Sequence, residues 1–219
     1  MLTGFDFVSA VRALAPGADL IDVESRVDQL MARWSEPHRK YHTTVHLAEV
    51  LAAGEQLRHA GELTRHDLPL FHLAAWFHDA VYDVHSPGNE AGSASLAHRW
   101  LSDLGVPPRD VAEVETLITL TTMHHVDDLT CLRAAFHDAD LWILSAPEAR
   151  YSAYRLQVRE EFAHVPDPHF AMGRAAVIRP FAERSSIYLT RLGREVWEPH
   201  ARVNLEAELA ELTSSPGFF

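Results

Sequence analysis

The chain has 219 residues, 47% hydrophobic and 23% charged, an ordinary globular composition with ample length for one sizeable core. Its 19 basic and 31 acidic residues leave a net charge of −12, which argues against duplex DNA or an acidic membrane surface as the main partner, because neutralising phosphates takes a basic face. With a single cysteine, Cys131, no disulfide within the chain, no signal-peptide pattern at the start and no apolar run of membrane-spanning length, the expected location is cytoplasmic.

Taken in chain order, hydrophobic spacing predicts helices almost throughout. Leu20, Val23, Val27, Leu30 and Trp34 recur at three- and four-residue steps until Ser35-Glu36-Pro37 stops the run. A second amphipathic stretch starts near Val45 and runs through Leu47, Val50, Leu51 and Leu57. Leu68 to Val81 is apolar on nearly all sides, as a central buried helix must be. Pro87-Gly88 reads as a turn, and Glu90 to Leu104 as a helix stopped by Gly105 and Pro107-Pro108. The next helix carries Val111, Val114, Leu117 and Ile118 and runs into His124-His125. Ser145-Ala-Pro-Glu148 looks like a capping box, opening a helix whose face is Tyr151, Tyr154, Val158 and Phe162. Stretches around Phe170 to Phe181 and Glu195 to Leu212 complete the set, and the tail from Ser214 to Phe219 is expected to fray or to dock its two phenylalanines on a partner. No segment alternates as a strand would, so the expected fold is all-α, a single domain over residues 1–219.

Fifteen histidines are many for a helical protein, and they gather with carboxylates in four places. These are Arg39-Lys-Tyr-His42-Thr-Thr-Val-His46, Phe77-His78-Asp79-Ala-Val-Tyr82-Asp83, Thr121-Thr-Met-His124-His125 and Phe136-His-Asp138-Ala-Asp140. His78 and Asp79 follow directly on the most apolar run. A charge taken into a core costs several kcal/mol unless it is paired or bound to a metal. A divalent cation answers for both residues, since imidazoles and carboxylates together form a mixed nitrogen and oxygen donor set.

In this ordered set the chain resembles the HD-domain superfamily of metal-dependent phosphohydrolases. That pattern is a histidine opening a helix, a His-Asp doublet on another, and a distant aspartate, here His46, His78-Asp79 and Asp140. It is most similar to a bacterial subgroup of predicted metal-dependent HD phosphohydrolases, through Tyr41 to His46, Phe77 to Asp83, Asn89-Glu90 with Ser93-Ala94, Thr121-x-x-His124, Asp138-Ala-Asp140-Leu, Val158-Arg159-x-Glu161-Phe and Ala201-Arg202-x-Asn204-Leu. The resemblance spans about residues 30 to 210. It implies an HD-type helical domain, a divalent metal (manganese, iron, cobalt, nickel or zinc) on His46, His78, Asp79 and Asp140, and hydrolysis of a small phosphate ester, a nucleotide or related compound, by metal-activated water.

Other residues around this set are expected to serve catalysis or substrate. Asp83 lies one helical turn beyond Asp79 if the helix continues, where it would orient water. The resemblance to guanosine tetraphosphate hydrolases, which carry His-Asp-x-x-Glu-Asp, puts Asp83 on the final aspartate, with Tyr82 in place of the glutamate. His124 is expected to contact metal or phosphate. His42, Lys40, Arg39, Glu90 and Arg159 are expected on the substrate side, Arg159 with Arg155 as a possible phosphate clamp against a surface ion pair with Glu160 or Glu161. Asp138 is expected to be structural, Cys131 a small buried hydrophobe, and His125 and His137 surface residues. Two other readings are a non-catalytic nucleotide sensor and a di-iron HD-type oxygenase in which His98 completes the ligand set.

Overall fold

The computed structural model describes residues 4–122 and 130–214, so the expectations for His124, His125 and the terminal phenylalanines lie outside the described residues. The helices are α1 (Phe5–Leu14), α2 (Leu20–Trp34), α3 (Thr44–His59), α4 (Leu68–Phe77), α5 (Asn89–Asp103), α6 (Pro108–Leu120), α7 (Cys131–Asp140), α8 (Glu148–Glu161), α9 (Asp167–Glu183) and α10 (Glu198–Ser214). A 3-10 turn, Leu141–Ser145, joins α7 to α8, and a π turn, Gly193–Trp197, leads into α10. Among the described residues there is no strand, and no helix is long and apolar enough to cross a membrane. The fold is all-α, as expected.

Local chemistry sets the helix ends. Asp19 accepts from Ile21 N at 2.7 Å to open α2, and Thr43 and Thr130 cap α3 and α7 in the same way. Gly61 and Gly105, both at φ 79°, end α3 and α5 in the left-handed conformation, and Val106 N returns to Leu101 O at 3.0 Å. The capping box expected at Ser145 does not form. Ser145 belongs to the preceding 3-10 turn, where its hydroxyl donates to Trp142 O.

One hydrophobic cluster runs from Phe7 to Leu205 with α4 at its centre. Leu70, Phe71, Leu73 and Phe77 are buried, each stabilising by about 2 kcal/mol. α1, α3, α5, α6 and α7 all pack against α4. The approach of α3 is close: a Cβ on Gly54 would fall 2.3 Å from the Phe71 ring. The sequence pattern extends the α4 helix to Val81, whereas it ends at Phe77. His78 N still bonds Ala74 O, then Ala80 N turns back to Phe77 O and Val81 N donates to Ser93 Oγ. The chain therefore leaves the helix at the His-Asp doublet.

Two expectations about burial are corrected. Cys131 is exposed at the start of α7. His137 is buried, its Nδ1 2.9 Å from Asp138 Oδ1. Asp138 is structural, as expected: it accepts from Leu189 N, Thr190 N and the Thr190 hydroxyl, tying the segment before the π turn to α7.

Candidate metal centre

Three helix ends meet at one point: the first turn of α3 brings His46, the exit of α4 brings His78 and Asp79, and the last residue of α7 is Asp140. His46, His78 and Asp140 each offer one donor atom, all within 4.8 Å of one another. The two Nε2 atoms are 3.1 Å apart. Asp140 Oδ1 is 3.2 Å from His46 Nε2 and 3.4 Å from His78 Nε2. Asp79 Oδ2 adds a fourth donor, 3.2 Å from His78 Nε2 and 3.6 Å from His46 Nε2. Donors about 2.1 Å from a shared cation stand about 3.0–3.4 Å from each other, so the separations among His46, His78 and Asp140 suit three ligands of one ion, with the Asp79 carboxylate beside them.

The outer nitrogen of each ring is already engaged. His78 Nδ1 is 2.8 Å from Ala75 O, and because a carbonyl only accepts, Nδ1 carries the proton. His46 Nδ1 lies 3.0 Å from the Tyr41 hydroxyl. Donation from Nδ1 to that oxygen leaves the His46 Nε2 lone pair facing His78, the tautomer that binds a cation. Burial disfavours the charged form of His78, but the carboxylates of Asp79 and Asp140 outweigh it and hold its pKa well above 6.5. The same pairing outweighs the burial cost of Asp79, whose pKa is lowered. The site draws positive charge to the point between the two rings.

Beside the cluster lies a ring of supporting contacts centred on Glu161, at the end of α8. Its Oε1 accepts from the backbone N–H groups of Lys40, Tyr41 and His42 at 2.8–3.0 Å. Its Oε2 accepts from the Tyr82 hydroxyl at 2.7 Å and lies 2.8 Å from His42 Nδ1. Burial alone would raise the Glu161 pKa, but bonds from His42, Tyr82 and Lys40 bring it down to about 2. An ionised carboxylate only accepts, so His42 donates from Nδ1 and keeps Nε2 for the cavity it lines. Burial works against the His42 imidazolium, yet Glu161, Asp79 and Asp140 raise its pKa above 6.5. In the sequence Glu161 stands out only as part of the Val158-Arg159-x-Glu161-Phe motif and as a surface ion-pair partner for Arg155 or Arg159. Nothing local in the sequence marks a carboxylate that reaches across 121 positions to the Lys40 amide.

A cavity of about 510 Å³ opens from this cluster between the 3-10 turn, α8 and α9, with His42, His46, Asp79, Glu90, Thr121 and Asp140 at its polar end. His42 and Glu90 thus stand where substrate residues were expected. Four expectations do not hold. Arg39 has a buried side chain, and its guanidinium donates to the carbonyls of His42, Asp79 and Ala80 and to the Glu36 carboxylate, so it braces the loops and meets no ligand. Lys40 is exposed, donates to Pro37 O and does not line the cavity. Arg159 bonds Asp167 and the carbonyls of Phe162 and Val165, and Arg155 pairs with Glu211, so no phosphate clamp forms and Glu160 and Glu161 are not their partners. Asp83 is exposed past the end of α4, where its Oδ1 accepts from His85 N at 2.9 Å. His98 pairs with Glu115 on the exposed side of α5 and is absent from the cavity lining, which leaves the di-iron reading without its extra ligand.

No protein-family model matches this chain, and no curated protein matches its sequence. The resemblance to HD phosphohydrolases therefore rests on the sequence motifs alone.

Proposed function

We propose that the protein is a metal-dependent phosphohydrolase of HD type acting on a small phosphate ester, with a divalent cation held by His46, His78, Asp79 and Asp140. The observation that carries this reading is the approach of two imidazole Nε2 atoms to 3.1 Å, with carboxylate oxygens of Asp79 and Asp140 at 3.2–3.6 Å. Manganese, iron, cobalt, nickel and zinc all suit such a donor set. When bound, the cation would polarise a phosphoryl oxygen and lower the pKa of water at the site.

The chain's own residues supply orientation and proton transfer. Tyr41 and the Ala75 carbonyl fix the two ligand rings through their Nδ1 atoms. Glu161 fixes His42 so that Nε2 faces the cavity, and the raised pKa of His42 keeps a proton available for the departing alkoxide oxygen. Arg39 holds the carbonyl of Asp79 at 2.7 Å and so sets where the doublet leaves α4.

A screen of phosphate monoesters and diesters with the five metals, read as released phosphate or alcohol, tests the reading. Turnover that needs a metal and disappears in Asp140→Asn supports it. A protein that binds a phosphate compound and releases nothing with any metal is a sensor instead.

A further inference from the structure

The cavity extends well past the His-Asp cluster, and that extension has its own chemistry. Ten of its 21 lining residues are Leu, Ile, Val or Phe, and all ten lie between Leu141 and Phe181. On α9, Phe170, Gly173, Val177 and Phe181 follow one another at three- and four-residue steps, so one helix face forms a wall. The facing wall is Val158 of α8 and Phe162 just past its end.

Positive charge is scarce here. Arg174 is the one Lys or Arg in the lining among the described residues, and its Nε and Nη2 hold the Glu208 carboxylate at 2.8 and 3.2 Å. Its charge is spent on that pair. The polar end carries the carboxylates of Asp79, Asp140 and Glu90. A single phosphate can be met by the cation and by His42, but each further phosphate would stand beside carboxylates with no cation to face it. In the apolar arm the Tyr154 hydroxyl has no hydrogen-bond partner among the described residues, although the residue is only 7% exposed. Such a group inside a small-molecule site, whose volume falls within the usual range of about 300–1,000 Å³, fixes the orientation of a mostly apolar ligand.

We propose that the cavity takes a phosphate monoester of an apolar alcohol, with the phosphate at the His46–Asp140 cluster and the alcohol's body between α8 and α9. This rests on the phosphohydrolase reading and narrows its substrate away from nucleoside di- and triphosphates. In the reaction the P–O bond to the alcohol breaks and a P–O bond to water forms. One water proton ends on the alcohol oxygen and the other stays with the phosphate.

Binding and turnover are measured separately on the full chain. A Cβ on Gly173 meets nothing within 4 Å, so Gly173→Leu adds bulk to the wall without a clash and favours the helix. Val177, 58% exposed, tolerates a charge, so Val177→Asp makes the same wall polar. Calorimetry with 1-naphthol and adenosine on the metal-free protein should show naphthol binding at least tenfold more tightly. Both variants should weaken naphthol binding about tenfold or more while keeping the wild-type circular dichroism and metal content. With metal, kcat/KM for 1-naphthyl phosphate should exceed that for adenosine monophosphate about tenfold, with adenosine triphosphate lower still. Equal or tighter binding of adenosine, or naphthol affinity unchanged in both variants, overturns the inference even if phosphate esters are hydrolysed. Naphthol binding that persists without any phosphate release, from any ester with any metal, overturns the phosphohydrolase reading and with it the phosphate head of the proposed ligand.

Discussion

The Nε2 atoms of His46 and His78 face each other at 3.1 Å, across 32 positions of chain, while the other nitrogen of each ring is engaged elsewhere. Two neutral rings in this arrangement turn lone pair toward lone pair, which is repulsive unless a positive charge lies between them. Both rings are nearly fully buried, so water does not relieve that repulsion cheaply.

The first prediction follows from this pair. Purified wild-type protein should hold about one divalent ion per chain, and His78→Ala, Asp79→Ala and Asp140→Asn should each lose most of it while remaining helical. Added metal at about 100 times its Kd should stabilise the wild type by about 2.7 kcal/mol. The same addition should leave the Asp140→Asn melting temperature almost unmoved. Elemental analysis with thermal melts checks both, and equal metal content in wild type and variants would remove the metal centre.

Asp83 gives the second prediction, opposite to what its spacing implies. A carboxylate four positions after Asp79 shares its face only if the helix continues, and α4 stops at Phe77. Asp83→Asn keeps an oxygen that can accept from His85 N, so turnover and stability should both stay within about twofold and 0.5 kcal/mol of wild type. Asp83→Ala should cost about 1 kcal/mol, the worth of a local side-chain cap. A large fall in kcat for Asp83→Asn at full metal occupancy would return the residue to catalysis.

Arg39 leads to a third. Its guanidinium lies 5.6 Å from the Trp34 ring and 5.3 Å from that of Tyr82, and its donors satisfy three carbonyls and Glu36. Arg39→Met keeps the stem but strands buried carbonyls, each at about 1–3 kcal/mol. Stability should fall by about 3 kcal/mol or more in denaturant titrations. A variant of wild-type stability with only a raised KM would mean that Arg39 meets the substrate after all.

The helical periodicities and the four residues of the proposed metal centre are legible in the sequence because both are local or ordered signals. Leu20 to Trp34 repeats its apolar face, and His78-Asp79 abuts a run too apolar to host a charge unaided. What could not be read were partnerships between distant segments. Arg39 and Lys40 look alike beside the first motif, yet one is buried under Tyr82 and the other is exposed. Arg159 looks free until the chain returns with Asp167, and His137 looks like a surface residue until the packing of α7 buries it. The end of α4 is not legible because Ala80 and Val81 continue the apolar pattern, while the turn at Ala80 is followed by the Val81 N–H donating to Ser93 of α5.

The last prediction concerns Glu161 and acid. Its pKa is about 2 in the folded protein against an ordinary 4.5, a depressed carboxylate. Its contribution is therefore complete above pH 4.5 and is lost as pH falls from there through about 2, and it amounts to about 3 kcal/mol. His42, with a raised pKa, has the opposite sign: its contribution is complete below pH 6.5 and fades as pH rises past its folded value. In Glu161→Gln the amide has no ionisation, so the fall in stability between pH 4.5 and 2 should be shallower than in wild type. The amide also changes His42. Three backbone N–H groups still claim the side-chain oxygen, which leaves the NH2 group facing His42 Nδ1 and the Tyr82 hydroxyl. An NH2 group donates, so Nδ1 must accept and stays unprotonated; the imidazolium that gives its Nε2 proton to the departing oxygen is no longer favoured, and only a neutral Nε2–H ring, a far weaker acid, remains. Turnover should fall by about a hundredfold, the scale of a misplaced acid or base, while metal content stays at the wild-type level. Urea midpoints measured from pH 7 to pH 2, with kcat and metal content at pH 7, check all three expectations. Identical acid slopes in the two proteins would show that Glu161 is not held ionised by His42 and Tyr82.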